Sequence, residues 1–359
     1  MSQPKIHPLS RRRVYCNPQA QSWTSTTSGA NFEEIASFQH KLPGYLPTKL
    51  ISLQEIARQI GVKAVYLKNE TSRCELPSFQ AIAEQNSLPL DVSLEDLAKV
   101  AQAANTRLYA ATDGNHGPAV ARFSRILGIA SEIFVPVYLD LSAVNAIKSE
   151  GAHVEAMDTA GSTDGAVFIQ DTAFKDYVMI PQVNGYGTML LEMEQQLHGV
   201  IPDIVVAPVG VGSFAQAVTS HSKSRGRTTK VVTAEPDAAP CLWKSLQTQE
   251  CVPVSTSKTI MTGMNCGTVS YISWPTLQAG VDAALTFSDW EAHEDVEYLA
   301  SVGVSAGPCG ASTLSALRYI SQHDPGCIGL SEDSVAVIFY TEGERPYDSP
   351  ILVFRIRIF

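Results

Sequence analysis

AATDGNHGPAVARFSRILG, residues 110–128, decides how this chain is read. An apolar strand ends at Ala111, the chain turns through Thr112-Asp113-Gly114-Asn115-His116-Gly117, and helical periodicity follows. In a parallel sheet such a turn presents polar side chains at the carboxyl end of a strand, where ligands bind. The helix start adds free N–H groups and the positive end of a dipole. Read as structure alone, Asp and Asn close the turn and the glycines take positive φ. Asp113, Asn115 and His116 are richer in chemistry than a turn requires, so the stretch is read as functional.

Outward from this stretch, short apolar segments alternate with helical ones. Strands are expected at Ala64–Leu67, Arg107–Ala111, Ile133–Val137, Val154–Met157, Asp176–Ile180, Ile204–Pro208, Val231–Ala234, Ala284–Phe287 and Val335–Tyr340. Helices are expected at His116–Leu127, Leu141–Glu150, Thr188–His198, Ser213–Ser222, Asp289–Val302 and Ala311–His323. The alternation predicts an α/β fold of mostly parallel, twisted sheets with helices on both faces. Residues 1–40 are mixed and polar and read as a wrapping arm. Val252–Ser273 breaks the alternation with a Ser/Thr/Gly-rich stretch, the composition of a long ordered loop.

Two further strand ends carry polar groups. VVAPVGVGSFAQAV (205–218) runs from an apolar strand through Gly210-Val211-Gly212-Ser213 into a helix. Glycines there let backbone N–H groups converge on a phosphate, with Ser213 as a further donor. It is neither a Walker loop nor GxGxxG. VAVIFYTEGE (335–344) ends in Thr341-Glu342-Gly343; a structural role for this hydroxyl and carboxylate stands level with a functional one.

Together these stretches resemble the fold type II pyridoxal-phosphate enzymes, the tryptophan synthase β group, and within it the diaminopropionate ammonia-lyases. The resemblance runs from LPGYLPTKL (42–50) to TEG (341–343). It is carried by LPSF (76–79), ATDGNHG (111–117), NGYGTM (184–189), PVGVGSFAQAV (208–218), TAEPD (233–237), TIMTGMNCGT (259–268) and GPCGAST (307–313). It implies a two-lobed body: an N-terminal arm at 1–40, a large domain from 41–105 and 186–359, and an inserted small domain at 106–185. It also implies a homodimer. By the same resemblance, Gly210, Val211, Gly212 and Ser213 hold the cofactor phosphate. Asn115 bonds the ring hydroxyl, and Thr341 sits near the pyridine nitrogen. Asp113 matches a carboxylate that helps remove the substrate α-proton, and Asp164, in GSTDGAV (161–167), a second acidic position near the substrate.

One position departs from that pattern. After Ser78-Phe79 the family continues with the lysine that bonds the cofactor aldehyde; here stands Gln80. An amide nitrogen, its lone pair delocalised, forms no imine and does not titrate near neutrality. No cofactor chemistry that needs a covalent anchor is expected, although pyridoxal phosphate can still be held non-covalently. Lys68 reads as structural; Lys148, on a presumed surface helix of the small lobe, and Lys175, just before one of its strands, offer no good replacement. Three explanations stand open. The first is a lysine-less homologue repurposed for a cofactor-independent cyclisation, cycloaddition or isomerisation of an apolar small molecule in specialised metabolism. The second is an ammonia-lyase-like enzyme inactivated by a Lys-to-Gln change, and the third a non-catalytic binding protein. AIAEQNSLPLDVSL (81–94) and the apolar end SPILVFRIRIF (349–359) depart from the family and favour the first. In that reading Gln80, Asp113, Asn115, His116 and Asp164 line the reacting cavity, where a shaped pocket holds a reactive conformer.

Bulk properties exclude other classes. A net charge of −10 and the lack of a Lys/Arg stripe argue against nucleic acid or an anionic membrane as partner. Arg11–Arg13 read as a solvated tail. The seven cysteines show no CxxC pair and no zinc spacing, and read as free thiols in a reducing compartment. No metal site is expected; His40, His153 and His293 lack ligand spacing. The N-terminus lacks a signal-type apolar region and no apolar run is long enough to span a bilayer, so a cytoplasmic protein is expected.

Overall fold

VAVIFY, residues 335–340, is buried at every position, as a strand covered on both faces requires. It lies inside a seven-stranded sheet of the computed structural model, which describes residues 14–25, 32–41, 45–70, 77–89, 92–112, 116–137, 139, 141–157, 167–168, 185–224 and 226–350. The strands are β1 (Val14–Cys16), β2 (Leu50–Ser52), β3 (Ala64–Asn69), β4 (Arg107–Ala111), β5 (Ala130–Pro136), β6 (His153–Met157), β7 (Val167–Phe168), β8 (Ile204–Pro208), β9 (Lys230–Pro236), β10 (Ala283–Phe287) and β11 (Val335–Tyr340). The helices are α1 (Phe32–Gln39), α2 (Gln54–Ile60), α3 (Pro77–Gln85), α4 (Leu94–Ala103), α5 (His116–Leu127), α6 (Leu141–Ser149), α7 (Gly187–Gln196), α8 (Ser213–Ser222), α9 (Cys241–Thr248), α10 (Trp274–Gly280), α11 (Asp289–Ser301) and α12 (Pro308–His323).

The large sheet has the order β1-β10-β9-β8-β11-β3-β2 and the small one β6-β5-β4-β7. All pairings are parallel except those of the two edge strands, β1 on β10 and β2 on β3. β8 leads outward to β9 and β10, whereas β11 returns on its other side, so the strand order reverses between β8 and β11. In open α/β sheets such a reversal opens a crevice at the carboxyl ends. Apolar clusters lie on each face of the large sheet. A third joins Leu108, Ala110, Ile133 and Val135 of the small sheet to Phe79, Ile82 and Ala83 of α3 and Leu97 and Ala101 of α4. The apolar faces of α3 and α4 thus pack on the small sheet, although the sequence division assigns 41–105 to the large domain.

The expected strands appear at their places with ends shifted by up to three residues. The strand expected at Asp176–Ile180 lies outside the described residues. β1, β2 and β7 were not expected, being too short to show alternation. α12 starts three residues before the expected helix. Pro308 fits its first turn, but the small residues of GPCGAST give no apolar period there.

The expectation that all cysteines are free is corrected: Cys16 and Cys327 form a disulfide, with Cα atoms 5.8 Å apart. Spacing gives no sign of a pair separated by 311 residues; it forms because β1 and the turn after α12 meet at one edge of the sheet. Cys241, Cys251, Cys266 and Cys309 form no disulfide. No helix among the described residues is long and apolar enough to cross a membrane.

Glu235, on β9, is fully buried and accepts the N–H of Leu242 (2.7 Å) and Trp243 (2.6 Å) at the start of α9. Burial outweighs these bonds and pushes its carboxyl from 4.5 up to about 7. The folded chain therefore holds a proton that the unfolded chain has released. The resulting stabilisation is fully present below pH 4.5 and lost as pH rises through about 7. Relative to Glu235→Gln, the native chain should lose about 3 kcal/mol of unfolding free energy across that window. Denaturant unfolding of both proteins at a series of pH values measures it.

Candidate active site

The loop after β8 is built for close approach. A Cβ on Gly210 would lie 3.0 Å from Gly263 O and 3.3 Å from Cys266 Sγ. Gly212 has φ +99°, and a Cβ there would lie 2.8 Å from Leu277 Cδ1. Its carbonyls are used inward: Val211 O accepts Ser270 N–H (2.8 Å), Gly212 O accepts Gln216 N–H (2.8 Å) and Gly210 O accepts the Cys241 thiol (3.7 Å). Among the described residues no acceptor takes the N–H of Gly210, Val211, Gly212 or Ser213. Four amides at the start of α8, with their carbonyls turned away, form a concavity that suits an anion such as a phosphate.

Thr341 follows β11, the strand beside β8, in a register that pairs Ile338 with Val206. Thr341 and the Gly210–Ser213 loop thus leave neighbouring strand ends, on either side of the reversal. The next residue, Glu342, accepts Cys309 N–H at the start of α12 (2.7 Å) and Arg345 Nε–H (2.8 Å). Gly307 is needed there, because a Cβ would lie 2.6 Å from Glu342 Oε2. The Cys309 thiol is held well above its ordinary pKa by burial and then by the Glu342 charge, so it is no nucleophile at neutral pH. The irregular stretch Val252–Ser273 supplies the other wall. Its short 3-10 turn, Thr262–Met264, is packed through Met261 and Met264 against Ala292 and Cys309.

His116 is the first residue of α5 and is buried at the carboxyl end of β4. Its neighbour Gly117 lets α5 approach the small sheet: a Cβ would lie 2.5 Å from Thr112 Cγ2 and 3.1 Å from Ile133 Cγ2. Asp113, Asn115 and Asp164 lie outside the described residues, as does the Gln80 side chain; the Gln80 backbone is in the first turn of α3. The structure thus brings the Gly210–Ser213 loop and Thr341 to adjacent strand ends and puts His116 on the other sheet.

Among the described lysines, Lys68 and Lys223 are buried, and each is paired. Lys68 Nζ donates to Thr48 O (2.9 Å), Glu192 Oε2 (2.9 Å) and Gln196 Oε1 (3.0 Å); Lys223 lies 2.6 Å from Asp282. An ammonium locked among such acceptors is not the free amine that attack on an aldehyde needs. Lys68→Met should cost about 3–5 kcal/mol of stability, because it leaves Glu192 buried without its cation, a loss read by thermal or denaturant unfolding. The cradle glycines were legible as a strand–GxG–helix pattern. Arg345 was not, for it stands in an irregular run after the last strand with no periodic or motif signal.

The family model described as "Pyridoxal-phosphate dependent enzyme" matches residues 41–339. A diaminopropionate ammonia-lyase of Escherichia coli strain K12 is 28% identical over 345 residues, covering 86% of this chain and 87% of its own. One from Salmonella typhimurium is 27% identical over 314 residues, covering 78% and 77%. The crystal structure of the Escherichia coli diaminopropionate ammonia lyase in complex with D-serine superposes with a TM-score of 0.80 at 26% identity, covering 92% and 93% of the two chains. Maize serine racemase, at 20% identity and a TM-score of 0.69, shares the fold. The architecture is the tryptophan synthase β-like fold type II, with two sheets carrying helices.

Proposed function

The chain belongs to the pyridoxal-phosphate dependent enzyme family, is homologous to the diaminopropionate ammonia-lyases, and from that premise we propose that its cleft takes pyridoxal phosphate without a covalent anchor. Gln80 stands, in this reading, where the anchoring lysine belongs. The observation that carries the reading is the set of four unclaimed amides from Gly210 to Ser213. The residues present fit the phosphate end of the cofactor, and the two buried lysines among the described residues, Lys68 and Lys223, are already paired with carboxylates.

Bound pyridoxal phosphate supplies an electron sink for charge at the α-carbon of an amino acid. The chain's own residues do the rest. Gly210, Val211, Gly212 and Ser213 hold the phosphate, Asn115 orients the ring through its hydroxyl, and Thr341 offers a neutral hydroxyl to the ring nitrogen. Asp113 takes the substrate α-proton, with Asp164 near the substrate and His116 directly after Asn115 in the chain. With an amide at position 80, nothing releases and recaptures the aldehyde, so ammonia release from a diaminopropionate-type substrate is suppressed. The partner is a small molecule, and the working unit a pair of copies.

A second reading is favoured by Gln80 together with the atypical run 81–94. The same cleft would hold an apolar small molecule for a cofactor-independent cyclisation, cycloaddition or isomerisation. Titration separates the two. Native protein should bind pyridoxal phosphate reversibly, Gly210→Ala should bind it about tenfold or more weakly, and borohydride should fix no pyridoxyl group. A pyridoxyl mass on any native lysine would sink the anchor-free reading, and no binding at all would favour the cofactor-independent one.

A further inference from the structure

The peptide at Ile260 is held from both sides. Its N–H donates to Asp289 Oδ2 (3.1 Å) at the start of α11, and its carbonyl accepts Arg345 Nη2–H. Thr259, one residue before, also donates its hydroxyl to Asp289. Three residues on, Gly263 O lies beside Gly210, 3.0 Å from where a Cβ of that residue would stand, and Cys266 Sγ lies 3.3 Å from the same point. Where the chain is pinned at Ile260 therefore decides where the cradle wall stands.

Arg345 is the far end of a second connection. Its Nε–H goes to Glu342 Oε1 (2.8 Å), and Glu342 Oε2 takes Cys309 N–H (2.7 Å). Glu342 directly follows Thr341, and its own carbonyl accepts Gly307 N–H (3.0 Å). One carboxylate thus ties the exit of β11 to the start of α12, and one guanidinium ties that carboxylate to the wall of the Gly210 loop. The guanidinium and carboxylate are mostly buried, at 19% and 13% side-chain exposure, so the pair is shielded from the screening that makes surface ion pairs nearly neutral. The Arg345 guanidinium carbon also lies 5.9 Å from the centroid of the Tyr347 ring, at the outer reach of a cation–π contact.

We infer that Glu342 and Arg345 are positioning residues that couple the two ends of the cleft, setting Thr341 and the Gly210 wall at a fixed separation so that one ligand spans both. Neither side chain need touch the ligand. The inference rests on the proposed reading of the cleft as a phosphate-ligand site.

The test uses the full chain and two readouts. Binding of inorganic phosphate and of pyridoxal phosphate is measured by equilibrium dialysis. Separately, alkylation of Cys266 by a small thiol reagent is followed residue by residue by mass spectrometry without ligand. Arg345→Ala should weaken pyridoxal phosphate binding and speed Cys266 alkylation, each by about tenfold, the equivalent of one charge-assisted hydrogen bond. Arg345→Lys reaches one of the two acceptors and should recover part of both effects. If Arg345→Ala fails to fold, Glu342→Gln serves; it keeps an acceptor for Cys309 but removes the charge that holds Arg345, and should move both readouts the same way. A merely structural role would lower the melting temperature while leaving affinity and the Cys266 rate in the folded protein unchanged, and that result overturns the inference. If native protein binds neither probe, the phosphate-site reading fails, while the Cys266 rates still decide whether the pair holds the wall.

Discussion

Gln80→Lys is expected to retain pyridoxal phosphate covalently through dialysis, about one per chain, where the native chain loses it. Position 80 lies in the first turn of α3, and the helix is seated on the small sheet by Phe79, Ile82 and Ala83, all buried. Lysine and glutamine have nearly equal helix propensity, so the exchange leaves α3 intact. What changes is the chemistry. A glutamine nitrogen is neither nucleophilic nor basic near neutrality, whereas a lysine amine in a partly desolvated cleft titrates low enough to attack an aldehyde. Covalent retention is read by borohydride reduction and mass spectrometry of the α3 peptide. Ammonia release from diaminopropionate should rise by about 10²–10⁴-fold over the native chain, the usual worth of a placed acid–base group. Retention without ammonia release would mean that the proton-moving roles proposed for Asp113 and Asp164 no longer serve ammonia-lyase chemistry. Failure to retain cofactor, in a variant that still binds phosphate, would sink the assignment of position 80 to the anchor.

The same contrast between local chemistry and long-range geometry explains what the sequence made legible. Ile204–Pro208 and Val335–Tyr340 are unbroken apolar runs, because parallel strands covered on both faces must be; their ends were legible almost to the residue. Gly210 and Gly212 were legible because a phosphate cradle and a strand–helix turn make the same local demand for glycine. Arg345 and Glu342 act through partners 85 and 33 residues away, and no spacing rule relates such positions. α3 and α4 read as part of the large domain because their apolar faces carry no mark of which sheet they cover. Their partners, Leu108 and Ile133, come later in the chain. The disulfide was missed for the same reason. Composition argued for thiols in general, while pairing depends on which two ends of the chain the sheet brings together.

That pairing has a large consequence for stability. Opening the Cys16–Cys327 bond, by Cys16→Ser or by a thiol reductant, should cost about 3–5 kcal/mol of unfolding free energy. The bond closes a ring of 311 residues, nearly the whole chain. Loop-closure entropy alone puts the effect at roughly 6 kcal/mol for so long a ring, and residual order in the unfolded chain reduces it. Contacts beside the bond do not replace it. Asn17 donates its side-chain amide to Gln278 O (2.8 Å) and Val281 O (2.9 Å), its backbone N–H goes to Asp282 O (2.8 Å), and β1 pairs with β10. These hold the arm in the folded state but place no limit on the unfolded one, so they survive bond opening without compensating for it. The native chain in reductant, Cys16→Ser and Cys327→Ser should therefore unfold at the same denaturant midpoint, below the oxidised chain. Their phosphate binding should be unchanged, because neither cysteine approaches the cleft. Equal midpoints for oxidised and reduced protein would mean that the bond does not form in solution. A midpoint loss confined to one serine variant would mean that side-chain packing at that position, and not the cross-link, carries the effect.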